Sequence, residues 1–338
     1  MSRRAGPPPS AVDPLVAATE RFRRDLIGVL GGAAAGPVLL AVSGGADSMA
    51  MLTLAADAEL PGGIAAATVD HRLRAAATVE AAMVADYCTQ LGVPHATLVP
   101  LGPIDGASLQ AQARAARYAL LADHARAIGA AAIATAHHVD DQAETFLMRA
   151  ARGSGLTGLA GVRARTTIAA MAVVRPLLDW RRAELRAIVR RRDVPFVDDP
   201  SNRDPAHDRT RFRHLLDAHE WLGPAQIARS AAALADADAD LRAIVDWLWT
   251  TRAQVATTGI DLDVADLPRE LLRRLARRGV SHVRGAARIA EPVFTESTNV
   301  EPLLDALGGG SRATQSGVSV TPGGGRWRFR PAPPRRGH

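Results

Sequence analysis

At 338 residues the chain is long enough for two domains, or for one large domain with an appendage, and its 47% apolar content can fill a core. No apolar run approaches the ~20 residues of a membrane span. The 41 basic residues are all arginine: the net charge of +6 fits a polyanionic partner, while the absence of lysine excludes a kinase-type phosphate loop and a Schiff-base nucleophile.

The first eleven residues are basic and Pro-rich, lack the apolar segment of a secretory signal, and are expected to be a loose tail. A helix follows over 12–30. Val38–Val42, preceded by Pro37, is a short apolar run bounded by a breaker and predicts a buried strand. Directly after it comes Ser43-Gly44-Gly45-Ala46-Asp47-Ser48, and from Ser48 onward the apolar spacing is helical. Two glycines on a strand-to-helix turn let backbone approach a ligand, and free N–H groups at the helix start favour an anion. The six residues therefore read as a phosphate cradle.

Ile64–Val69 predicts a second strand, ending at Asp70-His71; Val79–Leu91 predicts a helix closed by Gly92. The lone Cys88 lies in that helix, reads as a buried hydrophobe, and excludes an internal disulfide or a multi-cysteine metal site. Cytoplasm is the compartment this implies. Ala96–Val99 is a third strand and Ser108–Ile128 a long helix, with Ser108 as its cap and Gly129 as its stop. Ala132–Ala136 is a fourth strand, followed by a helix over Asp140–Ala151. Ala170–Val174 and Arg181–Arg191 make a fifth strand and its helix. This alternation implies an α/β domain, a parallel sheet with helices on both faces, whose ligands sit at the carboxyl ends of the strands.

Between the fourth strand and its helix stands His137-His138-Val139-Asp140-Asp141-Gln142-Ala143-Glu144. Two histidines and three acids there permit a zinc site, Mg²⁺ ligation on a nucleotide, or a proton acceptor; simple N-capping by Asp140 or Asp141 is the plain alternative. Arg181, Arg182, Arg186 and Arg190 to Arg192 crowd one segment and are explained by a solvated helical face. Arg203, Arg209, Arg211 and Arg213 fall in what reads as a Pro/Asp/Asn-rich loop. Beyond Pro224 the pattern changes to helices over Ala225–Arg252 and Leu267–Arg278, with a hairpin around Val318–Phe329. The expected organisation is a catalytic domain over 12–220, a smaller and mainly helical C-terminal part over 221–310, and a hairpin with a flexible tail over 311–338.

Several motifs occur in order: Ser43–Ser48; Val69-Asp70-His71-x-Leu73-Arg74; Ala113-Arg114-x-x-Arg117-Tyr118; His137 to Thr145; Arg152-Gly153-Ser154-Gly155-x-x-Gly158-Leu159; Arg175-Pro176-Leu177-Leu178; and Asp199-Pro200-Ser201-Asn202. The series resembles the tRNA(Ile)-lysidine synthetase family of N-type (PP-loop) ATP pyrophosphatases over about residues 36–215. The resemblance implies an adenine-nucleotide α-hydrolase-like fold and a reaction using ATP and Mg²⁺. ATP adenylates the C2 oxygen of the wobble cytidine in a CAU-bearing tRNA(Ile), then free L-lysine displaces AMP, and decoding changes from AUG to AUA.

It also implies roles. Ser43 to Ser48 would bind the phosphates and Asp47 would hold Mg²⁺. Asp140 and Asp141 would bind the lysine ammonium or take its proton. Arg114 and Arg209 would contact ATP phosphate or the flipped base. His137, Arg152 and Arg211 would bind substrate, the 152–160 loop would lie near the site, and the C-terminal helices would grip tRNA phosphates. The family's Arg-Asn-x-x-Arg signature is altered to Arg209-Thr210-Arg211-Phe212-Arg213, so the sequence does not single out the arginine that meets substrate. It leaves the oligomeric state open, a homodimer among the options. A tRNA thiolase, a small-molecule amide synthetase and a non-catalytic RNA-binding protein are the rival readings.

Overall fold

The structure, a computed structural model, describes residues 13–72, 75–102, 109–198, 208–257 and 259–333. The expected N-terminal tail, Leu73-Arg74, the Ser108 cap, Asp199–Asn202 and Arg203 lie outside these residues. The chain divides into two compact units, Met1–Ala235 and Asp236–His338.

The first unit opens with α1 (Pro14–Leu30), capped by Asp13, whose carboxylate accepts the Leu15 N–H at 2.9 Å. There follow β1 (Val38–Ala41), α2 (Ala46–Asp57), β2 (Ile64–Val69), α3 (Ala75–Leu91), β3 (His95–Leu98), α4 (Leu109–Ala127) and β4 (Ala132–Ala134). Next come α5 (Val139–Ala151), α6 (Leu156–Leu159), β5 (Arg165–Ile168), β6 (Met171–Val174), α7 (Arg182–Arg191) and α8 (Asp208–Ala218). The strands form one sheet in the order β3-β2-β1-β4-β6-β5. All neighbours are parallel except β5, which pairs antiparallel with β6 at the edge. The expected parallel sheet thus carries one antiparallel strand, at its edge.

The sheet is covered on both faces, and its central strand shows why. Val38, Leu40 and Val42 enter the core shared with α1, α2, α3 and α7, where Phe22, Leu26, Met49, Leu52, Val84, Leu185 and Val189 are buried. Leu39 points the other way, among Tyr118, Leu121, Ala122 and Ala125 of α4. Alternate side chains of one strand thus serve two cores, as the period-2 pleat requires. Strand order reverses between β1 and β4, which run side by side with Leu40 opposite Ala134. This is the switch point where such sheets bind ligands, and both chemistry-bearing segments leave from it.

Two further corrections bear on the site. Arg209, Arg211 and Arg213 are not in a loop; they lie on α8. His138, not Asp140 or Asp141, occupies the N-cap position of α5, and Asp141 contributes to the cap from the third helical position by accepting the His138 N–H.

A long helix, α9 (Pro224–Arg252), carries residues of both units. The second unit continues with β7 (Ala253–Ala256), β8 (Gly259–Asp263), α10 (Arg269–Ala286), α11 (Glu301–Gly308), β9 (Ala313–Gln315), β10 (Val318–Gly323) and β11 (Arg326–Pro331). The hairpin β10–β11 belongs to a five-stranded antiparallel sheet, β7-β8-β11-β10-β9, which the mainly helical expectation missed. Leu275, Ala276, Val280 and Val283 of α10 pack with Ile260, Leu262, Val320 and Phe329 of the sheet.

At the amino edge of the first sheet three turns meet backbone to backbone. Ala131 N–H donates to Pro37 carbonyl at 2.9 Å and Val38 N–H to Gly63 carbonyl at 3.1 Å. A Cβ on Gly36 would run into the Gly129 carbonyl, whereas one on Gly28 in α1 would meet nothing within 4 Å. Gly36→Ala is therefore expected to lower stability by about 1–3 kcal/mol. Gly28→Ala should raise it by about 0.5–1 kcal/mol through helix propensity. Urea unfolding of the two variants checks the opposite signs.

Candidate active site at the carboxyl edge of the sheet

The chain leaves β1 and turns through Ser43-Gly44-Gly45 into α2. Gly44 has φ +84°, a left-handed conformation that glycine adopts without strain, and its carbonyl accepts the Val197 N–H at 2.9 Å. Ser48 Oγ accepts the Ser43 N–H at 3.1 Å and donates to the Gly45 carbonyl at 2.9 Å, which closes the loop on the first helical turn. Gly45 caps α2 with no side-chain hydrogen bond, so no side chain competes there for the first helical amides. Ser43 through Ser48 thus form a backbone anion cradle, held in place by a helix whose residues from Ser48 to Ala55 are all buried.

The loop after β4 brings acids to the same place. His138 is 1% exposed. Its Nε2 lies 3.3 Å from Asp47 Oδ2 and 3.5 Å from Asp141 Oδ2, and its Nδ1 lies 3.5 Å from Asp140 Oδ2. Burial opposes a charge on this ring, but Asp140 and Asp47 outweigh it and raise its pKa to about 9. The Asp141 N–H also sits 3.4 Å from Nδ1, a contact that only a neutral ring could accept. That contact is long and three carboxylates surround the ring, so we assign the imidazolium. The cap is then completed by His138 N–H donating to Asp141 Oδ2 at 3.1 Å.

Asp140 accepts the Arg182 N–H at 2.8 Å and pairs with Arg181 Nη2 at 3.1 Å. Burial works against its ionisation, yet His138, the Arg182 amide and Arg181 hold its carboxyl well below the usual range. Asp141 is partly buried, which works against its charge, yet it is held low by His138 and Arg209. Glu144, 0% exposed, accepts from three arginines: Arg182 Nη2 at 2.6 Å, Arg209 Nε at 2.7 Å and Arg213 Nε at 2.9 Å. Arg209 Nη2 also reaches Asp141 Oδ1 at 2.6 Å. The shift of Glu144 is downward: burial is overcome by Arg213 and Arg209.

The sequence-derived residues therefore separate. Asp47, Asp140, Asp141 and Arg209 converge around His138 and Glu144. Arg209 and Arg213, one turn apart on α8, reach these acids, Arg209 while still partly in solvent; Arg211, also exposed, lies between them in sequence. Arg152 pairs with Asp208 at 2.5 Å on the surface, tying the end of α5 to the start of α8. Arg114 is an exposed residue of α4 with its guanidinium 5.0 Å from the Tyr118 ring. His137 contacts Thr135 Oγ1 at 2.9 Å; burial, with Arg175, Arg209 and Arg114 outweighing Asp141, lowers its pKa to about 4. His138, Glu144, Arg181, Arg182 and Arg213 were missed as site residues. For Glu144 the signal was present, since it lies one turn from Asp140 on a helix.

Asp47 has one carboxylate oxygen, Oδ1, that is buried without a hydrogen-bond partner. A buried anionic oxygen left open suits a cation. Among the described residues no three His, Cys, Asp or Glu side chains are placed to hold a metal ion. A zinc site of the three-ligand kind is not present there, but Mg²⁺ commonly takes one or two carboxylates and completes its shell with water and substrate phosphates. Asp47 fits that use.

The adjacent histidines should shape stability in opposite directions. His138 binds its proton more tightly when folded, so its contribution is full below pH ~6.5 and lost as pH rises through about 9. His137 binds its proton more tightly when unfolded, so its contribution is present above pH ~6.5 and lost as pH falls through about 4. In metal-free buffer His138→Gln should flatten the alkaline limb of a stability–pH curve, and His137→Gln the acid limb. Urea unfolding between pH 4 and pH 9.5 separates them; an unchanged alkaline limb in His138→Gln would contradict the imidazolium assignment.

Comparison with known proteins agrees with this geometry. A family model for the PP-loop domain matches residues 18–220. The tRNA(Ile)-lysidine synthase of Novosphingobium aromaticivorans is 42% identical over 325 residues, covering 95% of this chain and 96% of that protein. The same enzyme of Zymomonas mobilis is 39% identical, covering 93% and 94%. Among solved structures, the U34-tRNA thiolase NcsA from Methanococcus maripaludis matches 66% of this chain and 79% of its own with a TM-score of 0.54, at 17% identity, a likeness of fold. Matched to such relatives over nearly the whole of both chains, the chain belongs to the tRNA(Ile)-lysidine synthase family.

Proposed function

We propose that the chain ligates free L-lysine to C2 of the wobble cytidine in tRNA(Ile) with a CAU anticodon, consuming ATP and releasing AMP and pyrophosphate. The observation that carries this is the meeting of a lysine-free phosphate loop and a buried acid row at the neighbouring ends of β1 and β4, in a chain matching lysidine synthases over nearly all its length.

The amides of Ser43 to Ser48 hold the phosphates of ATP with the pyrophosphate end on the helix start. Mg²⁺, when bound at Asp47, offsets charge on the departing pyrophosphate. The C2 oxygen attacks the α-phosphorus and the α–β bond breaks. An amine of lysine then attacks C2, the C2–O bond breaks, and AMP leaves with that oxygen. Carboxylates held as low as Asp140 and Asp141 are weak proton acceptors. Their role is to bind the incoming ammonium, whose proton passes to water before attack. His138 and the arginines of α7 and α8 keep these acids ionised and fixed. Arg114, exposed at the rim near neutral His137, is placed to meet the base or a phosphate, and the anticodon, already single-stranded, needs little energy to present that base. The reaction takes place in the cytoplasm, and every residue named comes from one copy of the chain.

A sulfur-transfer reading lacks its chemistry here. The single cysteine, Cys88, is buried in α3 and burial pushes its thiol up to about 11.

The test uses the purified chain with ATP, Mg²⁺, labelled L-lysine and an unmodified CAU-bearing tRNA(Ile) transcript. AMP should form only with that tRNA, and label should enter it. Asp47→Asn should lower turnover by at least about a hundredfold while the tRNA is still retained on filters. AMP formation without lysine incorporation, or no ATP cleavage, would contradict the proposal.

A further inference from the structure

Beside the acid row lies a second charge field of the opposite kind. Arg114 and Arg117 project from α4, Arg149 ends α5, and Arg175 follows β6. Arg149 Nη1 donates to the carbonyls of Gly158 at 2.7 Å and Gly161 at 3.1 Å. Arg175, 3% exposed, donates through Nη1 to the Arg163 carbonyl at 2.6 Å, while its Nε is buried without a partner. These contacts fix two guanidinium planes but leave their charge uncancelled, because a carbonyl carries no net charge. The surroundings confirm it. Arg117, Arg149 and Arg175 are each held below the ordinary arginine value, by burial first and then by Arg114; the Tyr118 hydroxyl opposes this at Arg117 and Arg175, and among the described residues no carboxylate does. Arg182 and Arg209, a few residues of sheet edge away, are raised by Asp141 and Glu144. His71, after β2, also faces Arg117, and both its ring nitrogens are buried without partners.

Crowded arginines, one of them buried, that meet no carboxylate among the described residues are costly unless an anion completes them. Planar guanidiniums suit phosphate oxygens. We propose that Arg114, Arg117, Arg149 and Arg175 form a phosphate site that takes a backbone phosphodiester of the RNA beside the reacting nucleotide. His137 feels both fields: Asp141 favours its proton, and Arg175, Arg209 and Arg114 disfavour it. The nucleotide would then lie with its base toward the acids and its backbone on the arginines, a contact that sets register and carries no sequence information. The inference rests on the RNA-modifying reading above and extends it to residues outside the acid row.

The same chemistry could be served by the phosphates of ATP, so the experiment separates the two. Binding of the tRNA(Ile) transcript is titrated across a salt series for the parent, Arg117→Gln, Arg117→Lys and, as a control for net charge, Arg190→Gln on the exposed side of α7. Each phosphate contact contributes about 0.7–0.9 to the slope of log K against log salt. Arg117→Gln should make the slope shallower by that amount, Arg117→Lys should restore most of it, and Arg190→Gln should keep the parent slope. An Arg117→Gln slope equal to the parent or to Arg190→Gln would overturn the site. A raised KM for ATP with an unchanged slope would overturn the RNA assignment in favour of the triphosphate. Lysine incorporation by the parent is followed in parallel, so a failure of the functional reading registers there and not in the slope.

Discussion

The site depends on one buried carboxylate. Glu144 is out of water, and burying a lone carboxylate would cost several kcal/mol after relaxation. It is tolerable only because Arg182, Arg209 and Arg213 reach it from α7 and α8. The same contacts fasten α5 to both helices, and thereby fix Asp140 and Asp141, which lie on the preceding turn of α5. Arg209 is shared between Glu144 and Asp141, and Arg182 lends its side chain to Glu144 and its amide to Asp140. Removing any member therefore unbalances a group on another helix.

This arrangement explains how two histidines in sequence take opposite states. His138 faces Asp47, Asp140 and Asp141, and holds a proton; His137 is buried, and Asp141 beside it is outweighed by that burial together with Arg175, Arg209 and Arg114, so it does not. Burial disfavours the charge on both rings, so the neighbours decide. The backbone between them is the boundary between an acidic field suited to an ammonium and a cationic field suited to phosphate. A reaction that joins an amine to a nucleotide needs both within reach of one base.

Much of the first unit was legible. Ile64–Val69 is a strand over the span its β-branched and alanine-rich run suggests, and the phosphate loop announces itself by residue type and by the strand before it. The edge strand β5 was not legible, for a definite reason. It joins β6 through a two-residue turn, with Ile168 opposite Met171, whose central residues Ala169 and Ala170 both have positive φ. Such primed turns normally show Asn-Gly or Gly-Gly, and Ala-Ala carries no such signal. Arg181 and Arg182 read as a solvated helical face because their partners lie about forty residues earlier, a distance no local pattern reports. Asp140 and Asp141 looked like caps because Asp usually is one; His138 holds the N-cap position, Asp141 accepts its N–H from the third helical position, and both acids are also engaged by arginines. In the second unit β8 alternates Ile-Asp-Leu-Asp, but its pairing with β11 spans the whole unit, and helical periodicity on either side obscured it.

The central claim is that the C2 oxygen of the wobble cytidine is the atom activated by ATP. The most direct measurement places ¹⁸O at C2 of that cytidine in the CAU-bearing tRNA(Ile) transcript and follows the label by mass spectrometry through one turnover with ATP and L-lysine. Adenylation of the base puts ¹⁸O in the phosphate of the released AMP, and none at C2 of the product. AMP free of label, or product that keeps it, would contradict adenylation of the base and the mechanism built on it.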